Sequence, residues 1–276
     1  MRITNLPDWL IYTAALGILL FAADTRRQKA DAPAPPPPVP GEDTTPLSPL
    51  SPFNGAKILK IAPQSGRLST AFSIGEAGVW MTAASAVRDC AKLAIVVAPG
   101  RGAEAKLRPV AGDQLAVLTT DGGSPAMAIA ERSARPYEDI FLPGFPQDSA
   151  GEAAVKLLGE AAEEDHHRGR ARLPEQAWAQ IGRTDGLKGL LTGLEGAPLV
   201  DGFGHVQGVL LGQSPRRGRL YSAPLAAVRS AVAAAKPAPG AQQDNEPITL
   251  DNYGRAADSF RRDLRVVQVW CEAAPA

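Results

Sequence analysis

Along the chain, short apolar runs alternate with glycine-bearing and charged turns. They fall at Ile58–Ile61, Thr70–Ile74, Val79–Thr82, Ala94–Val97, Lys106–Val110, Leu115–Leu118 and Ala126–Ala130. The pattern resumes at Ile140–Phe145, Ala153–Leu158, Ala197–Val200, Val206–Leu211 and Gly218–Ser222. Runs of this length, recurring roughly every ten residues, predict an all-β barrel or sandwich and not βαβ units. After Pro224 the period lengthens, and Leu225–Val232 has helical spacing. A linker over 236–248 follows. Residues 249–276 read as an amphipathic helix over Asp251–Arg262, then a last strand over Leu264–Cys271 that docks on the body. The helix takes Asp251 or Thr249 as its N-cap and aligns Tyr253, Ala256, Ala257 and Phe260 on one face.

Ahead of the folded part the pattern differs twice. Leu6 to Ala23 is the most apolar run, broken near its start by Pro7 and Asp8. The unbroken part is shorter than the roughly 20 residues that span a bilayer comfortably, so it reads as an uncleaved anchor over residues 1–30 or as a signal-peptide core. Arg26, Arg27 and Lys29 follow it while only Arg2 precedes it, a bias that places the bulk of the chain in the cytoplasm. Residues 31–53 are dominated by proline, including Pro35 to Pro38. Such a segment is an extended spacer that lifts a domain from a membrane surface.

Composition narrows the function classes. The formal net charge is zero, which gives no phosphate footprint and no reason to expect nucleic acid. The two cysteines, Cys90 and Cys271, have no metal-ligand spacing, so neither metal nor cofactor is implied. His166 and His167 lie in a charged run, Glu163 to Arg168, that reads as a solvated loop. His205 lies in a hairpin, and Ser214 has no histidine partner in sequence.

The stretch Thr192-Gly193-Leu194-Glu195-Gly196-Ala197-Pro198-Leu199-Val200-Asp201, with its hairpin into Val206–Leu211, resembles the nucleophile loop of trypsin-like serine proteases. Four more stretches resemble the same family in the same order. They are Ser69–Ile74, Trp80–Val87 (where the histidine-bearing turn belongs), Leu115–Leu118 (the aspartate strand), and Gly144-Phe145-Pro146-Gln147 with Gly151-Glu152. The resemblance implies two Greek-key β-barrels over residues 54–235, the first about 54–130 and the second about 131–235. The anchor, the proline spacer and the Cys-ending tail are similar to a membrane-tethered bacterial subgroup. That subgroup, together with the two cysteines, implies a periplasmic domain despite the charge bias.

Carried over residue by residue, the resemblance implies a degenerate triad. The histidine position holds Ser85, the aspartate position Gln114 with Asp113 adjacent, and the serine position Glu195. Loss of one triad member alone costs about four or more orders of magnitude in chymotrypsin-type proteases and subtilisin, and the resemblance implies that all three are absent here. The oxyanion-hole positions are Gly193 and Glu195, where a carboxylate either repels a developing anion or accepts the backbone N–H groups itself. The surviving feature is a peptide groove along Leu211, Gly212 and Gln213, with Arg216 and Arg217 on one wall. The expected function is therefore an inactive protease homologue that binds a peptide or protein partner. The alternatives are a serine endopeptidase with a rearranged site and a scaffold whose groove is unused. In the oxidising compartment that the resemblance implies, Cys90, at the end of the histidine-type turn, and Cys271, on the tail, are expected to form a disulfide.

Overall fold

The computed structural model describes residues 52–53, 55–62, 65–108, 112–162, 173–214, 218–238 and 246–273. The anchor, almost all of the proline spacer, His166, His167, Arg216 and Arg217 lie outside the described residues. Among those described, no helix is long and apolar enough to cross a membrane.

Two six-stranded β-barrels make up the body. The first is closed by β2 (Arg67–Gly75), β3 (Val79–Ala83), β6 (Leu115–Thr119), β5 (Arg101–Arg108), β4 (Cys90–Ala98) and β13 (Val266–Ala273), each antiparallel to its neighbours. The short β1 (Ile58–Lys60) lies outside this ring, paired with β5. The second barrel is built from β7 (Asp139–Gly144), β8 (Gly151–Ala162), β9 (Pro174–Arg183), β10 (Pro198–Val200), β11 (Val206–Ser214) and β12 (Arg219–Pro224). Helix α1 (Ala84–Val87) is one turn after β3. Helices α2 (Leu225–Ala235) and α3 (Tyr253–Arg262) follow the second barrel.

The apolar runs look continuous, not alternating, because several strands are buried on both faces. On β3, Trp80 points into the first barrel with Ala71, Leu118, Val267 and Val269, while Val79 and Met81 point outward. On β7, Ile140 and Leu142 fill the second barrel with Trp178 and Leu210, while Phe141 points outward. These outward residues share one further core between the barrels, to which Val228 of α2 and Tyr253 and Phe260 of α3 contribute. The period-two direction of side chains along a strand divides one apolar run between two cores.

Several expectations change. Ala126–Ala130 forms no strand; only an isolated bridge joins Ile129 to Val206. Of the run at Lys106–Val110, the described part Lys106–Arg108 is the end of a strand that begins at Arg101. β9 carries no apolar run at all: Glu175, Gln176 and Gln180 interrupt it, although Trp178 is fully buried with its Nε1 donating to Ser222 Oγ at 2.9 Å. Helix α3 begins at Tyr253 and not at Asp251, and its N-cap position is Asn252 in place of Asp251 or Thr249. Asn252 makes no side-chain cap bond, because its Oδ1 accepts the Thr249 N–H at 2.7 Å instead.

The last strand goes further than docking on the body: β13 is a stave of the first barrel. It pairs with β2 from Val266↔Phe72 to Cys271↔Arg67 and with β4 from Val269↔Ile95 to Ala273↔Cys90. Cys271 and Cys90 are disulfide-bonded at this seam, with Cα atoms 5.4 Å apart, and the Arg67 guanidinium lies beside both sulfurs while donating to Arg88 O.

Candidate functional site

The site is a turn of the second barrel held against the first. Gly193 and Gly196 have φ of +88° and +86°, a left-handed conformation that glycine adopts without a Cβ penalty. At Gly196 a Cβ would also lie 2.1 Å from Thr82 Oγ1 and 2.2 Å from Thr70 O, so the close approach of the two barrels requires its absence. Thr70, on β2, is the clasp. Its N–H donates to Glu195 O at 2.9 Å and its Oγ1 to Gly193 O at 2.8 Å. The Thr82 hydroxyl donates to Thr70 O at 2.7 Å and closes the arrangement. On the other side, Gly196 N–H donates to Leu210 O and Leu210 N–H to Ala197 O, which fixes the turn on β11.

Within this turn the Glu195 carboxylate folds back: its Oε2 accepts the Gly193 N–H at 2.9 Å. A donor of the kind that would hold a developing oxyanion is thus already occupied by an anion from the chain itself. Of the two outcomes expected for a carboxylate at this position, the structure has the one in which it satisfies the backbone donor.

Ser85 and Gln114 come together. Ala84 N–H donates to Gln114 O at 2.9 Å, so the helical turn that carries Ser85 is tied to the start of β6. Both residues line a cleft of about 480 Å³ between the barrels, together with Leu211, Gly212 and Gln213. Asp113, on the same loop as Gln114, lines it too, as do Glu175 and Tyr221 from the second barrel, which the sequence pattern did not single out. Gln114 cannot take an aspartate's part: it is neutral, and its Nε2 donates to Pro174 O at 3.0 Å across the interface. Gln213 Oε1 accepts Leu191 N–H at 3.0 Å, so its side chain supports the loop before the glycine turn. His205, which is half-exposed, lies beside buried Asp201 in the β10–β11 hairpin and stacks on Phe203. Neither histidine nor cysteine lines the cleft among the described residues.

One edge of β11 is open toward this cleft. β10 pairs with β11 only as far as Val209, and among the described residues no strand pairs beyond that point on the side away from β12. A bulge between Leu210 and Gly212 turns the strand there, a device that re-aims an edge.

The tail reaches the same site from behind. Arg261 of α3 donates to Gly144 O at 3.2 Å and Gly151 O at 2.9 Å, and pairs with Glu152 Oε2 at 2.9 Å and with Asp258. These contacts hold both ends of the turn Phe145–Ser149, in which Gln147 has φ 53°. Gln147 N–H donates to Thr192 O, and its Nε2 to Lys188 O and Leu190 O. Burial pushes the Glu152 carboxyl above its usual value, against the opposing pull of Arg261 and the Thr184 hydroxyl. Nothing in the local pattern around Thr70 or Arg261 signals these roles, because both depend on partners distant in sequence.

No protein-family model and no curated protein matches the chain. Solved structures do. The chain is similar to the Rv3671c protease of M. tuberculosis in its inactive form, at 17% identity and TM-score 0.49, over 61% of this chain and 86% of that one. It is similar to the serine endoprotease from Yersinia pestis at 18% identity and TM-score 0.46, over 62% of this chain and 58% of that one. It is also similar to the MamO protease domain from Magnetospirillum magneticum at 14% identity and TM-score 0.47, over 63% of this chain and 92% of that one. The solved structures that the chain is similar to, at low identity, are trypsin-like and HtrA-type serine proteases.

Proposed function

We propose that the chain is a catalytically inactive relative of trypsin-like serine proteases, tethered to a membrane by its N-terminal apolar run, with its domain on the periplasmic side. Its work is to bind an extended peptide or protein segment in the cleft between the barrels. The observation that carries this reading is the Glu195 carboxylate on the Gly193 N–H at 2.9 Å. A nucleophilic mechanism needs a hydroxyl or thiol, a base to activate it and free donors for the oxyanion. Here the three positions hold Ser85, Gln114 and Glu195, and one donor is taken.

The open edge of β11 over Leu211–Gln213 supports binding by strand addition, in which main-chain hydrogen bonds supply affinity and the cleft reads alternate side chains. The test has two arms. A fluorophosphonate probe should leave the purified protein unlabelled; labelling abolished by a single serine substitution would show a rearranged endopeptidase. A screen of extended peptides should find ligands whose photo-crosslinks map to 211–214 or to the Ser85 turn. Crosslinks confined to other surfaces, or no ligand at all, would favour an unused scaffold.

A further inference from the structure

A second cavity shares no residue with the cleft. Tyr253, Ala257 and Phe260 of α3 are buried against the body. The other side of the helix presents Asn252, Arg255, Ser259 and Arg262, spaced to lie along one stripe. With Arg265, just past the helix, and Ile248 on the facing wall, that stripe lines a groove of about 230 Å³. Its charged groups are three guanidiniums against the single carboxylate of Glu246, in a chain whose formal net charge is zero.

The three arginines differ in how they are held. Arg265 is fixed: its side chain is only 6% exposed, its guanidinium stacks 4.6 Å from the centre of the Phe260 ring, and it pairs with Asp263 at 3.2 Å. Burial opposes its charge and lowers its pKa, so an incoming anion would offset part of that cost. Arg262 is exposed and forms none of the ion pairs found among the described residues. Arg255 pairs with Glu246 at 3.3 Å, but both side chains are more than three-fifths exposed, so water and salt screen that pair and a ligand competes with it easily. The Ser259 hydroxyl adds a neutral donor.

We propose that this groove binds a compact oxyanion, a phosphate or carboxylate group, between Arg262 and Arg265, with Arg255 closing from the rim. Guanidinium forks match such groups in pairs of parallel hydrogen bonds. Arg265 is already ordered by Phe260, so little side-chain freedom remains to be lost there. The inference does not rest on the cleft: an active protease or an unused scaffold could carry the same groove.

The experiment titrates the full chain with inorganic phosphate, with acetate, and with chloride at matched ionic strength. Binding is read by calorimetry, and protection of individual arginines from phenylglyoxal is read by peptide mapping. Saturable protection of Arg255 and Arg262 by phosphate or acetate but not by chloride is expected, and the more potent anion identifies the group. Arg262→Gln should weaken binding about tenfold or more, the loss of one charge-assisted contact, while Lys92→Gln leaves it unchanged. Phosphatidylglycerol vesicles that protect the same arginines at far lower phosphate concentration would assign the phosphate to a lipid headgroup. Protection by chloride to the same degree, or binding untouched by Arg262→Gln, would overturn the proposal. Protection in the unsubstituted protein decides the matter even if the variant fails to fold.

Discussion

The two barrels share a strand count and differ in how they close. The second is built from six strands consecutive in the chain, β7 to β12, so its pairings all fall within one contiguous stretch of sequence. The first has five consecutive strands and a gap between β2 and β4, which β13 fills from the far end of the chain. Pairing a strand across so long a loop costs more chain entropy than a hairpin and yields nothing until the strand is seated. The disulfide spans 181 residues and joins the end of that strand to β4. The cross-link therefore lies where closure is entropically hardest. The tail also serves the second barrel through Arg261, so one C-terminal segment completes one barrel and braces the Phe145–Ser149 turn of the other.

The strongest way to break this contrast is a proline in the shared stave. Val269 is fully buried and lies opposite Ser69 on one side and Ile95 on the other. Val269→Pro should cost about 3 kcal/mol or more, since the ring removes a ladder donor and clashes in a central strand. Hydrogen exchange should then show protection lost in β2, β4 and β13 while β7 to β12 keep theirs. Equal loss in both barrels would mean that they unfold as one unit and that the difference in closure has no energetic weight.

Next in size is Arg261→Met. Removing one partner of a buried ion pair strands the other, here Glu152, whose side chain is 5% exposed. About 3–5 kcal/mol should be lost in chemical denaturation. Adding Glu152→Gln should recover part of it, because no buried charge is then left without its cation. Cys271→Ser should cost about 2–5 kcal/mol. Cys90→Ser should cost the same, and the double variant no more than either, because both remove a single bond. A much larger loss in the double variant would assign the sulfurs roles beyond the cross-link.

The smallest effects concern acid behaviour within the second barrel. Burial raises the Glu152 carboxyl above its ordinary 4.5, so the native state holds that proton more tightly than the unfolded chain. Its contribution is full below about pH 4.5 and fades as pH rises through the native value. Glu138 runs the other way. The hydrogen bond from Arg132 lowers its carboxyl pKa, so its contribution is present above the unfolded value and is lost as pH falls through the native one. Unfolding midpoints of Glu152→Gln and Glu138→Gln, followed from neutral to acid pH, should diverge from the parent in opposite senses. Parallel curves would contradict both assignments.

The local pattern by itself determined that the body is all-β and where most staves lie, because a buried strand must present apolar side chains in short runs bounded by turns. It also determined which residues stand at the motif positions, Ser85, Gln114 and Glu195, since residue identity needs no coordinates. β9 stayed hidden because glutamine and glutamate interrupt its run, and main-chain pairing with β8 and β12, not hydropathy, is what keeps such residues in a strand. Ala126–Ala130 misled for the converse reason: an apolar segment packs against a core whether or not a neighbour offers it a ladder. Only the tertiary structure decided that β13 enters the first barrel, that Thr70 clasps the glycine turn, and that Glu195 turns back on Gly193. The first two are pairings between groups far apart in the chain, and the third, a bond between residues two apart, depends on the turn that Thr70 of the first barrel holds in place. Hydropathy records whether a residue is buried, but which partner it meets is settled only when the whole chain has closed.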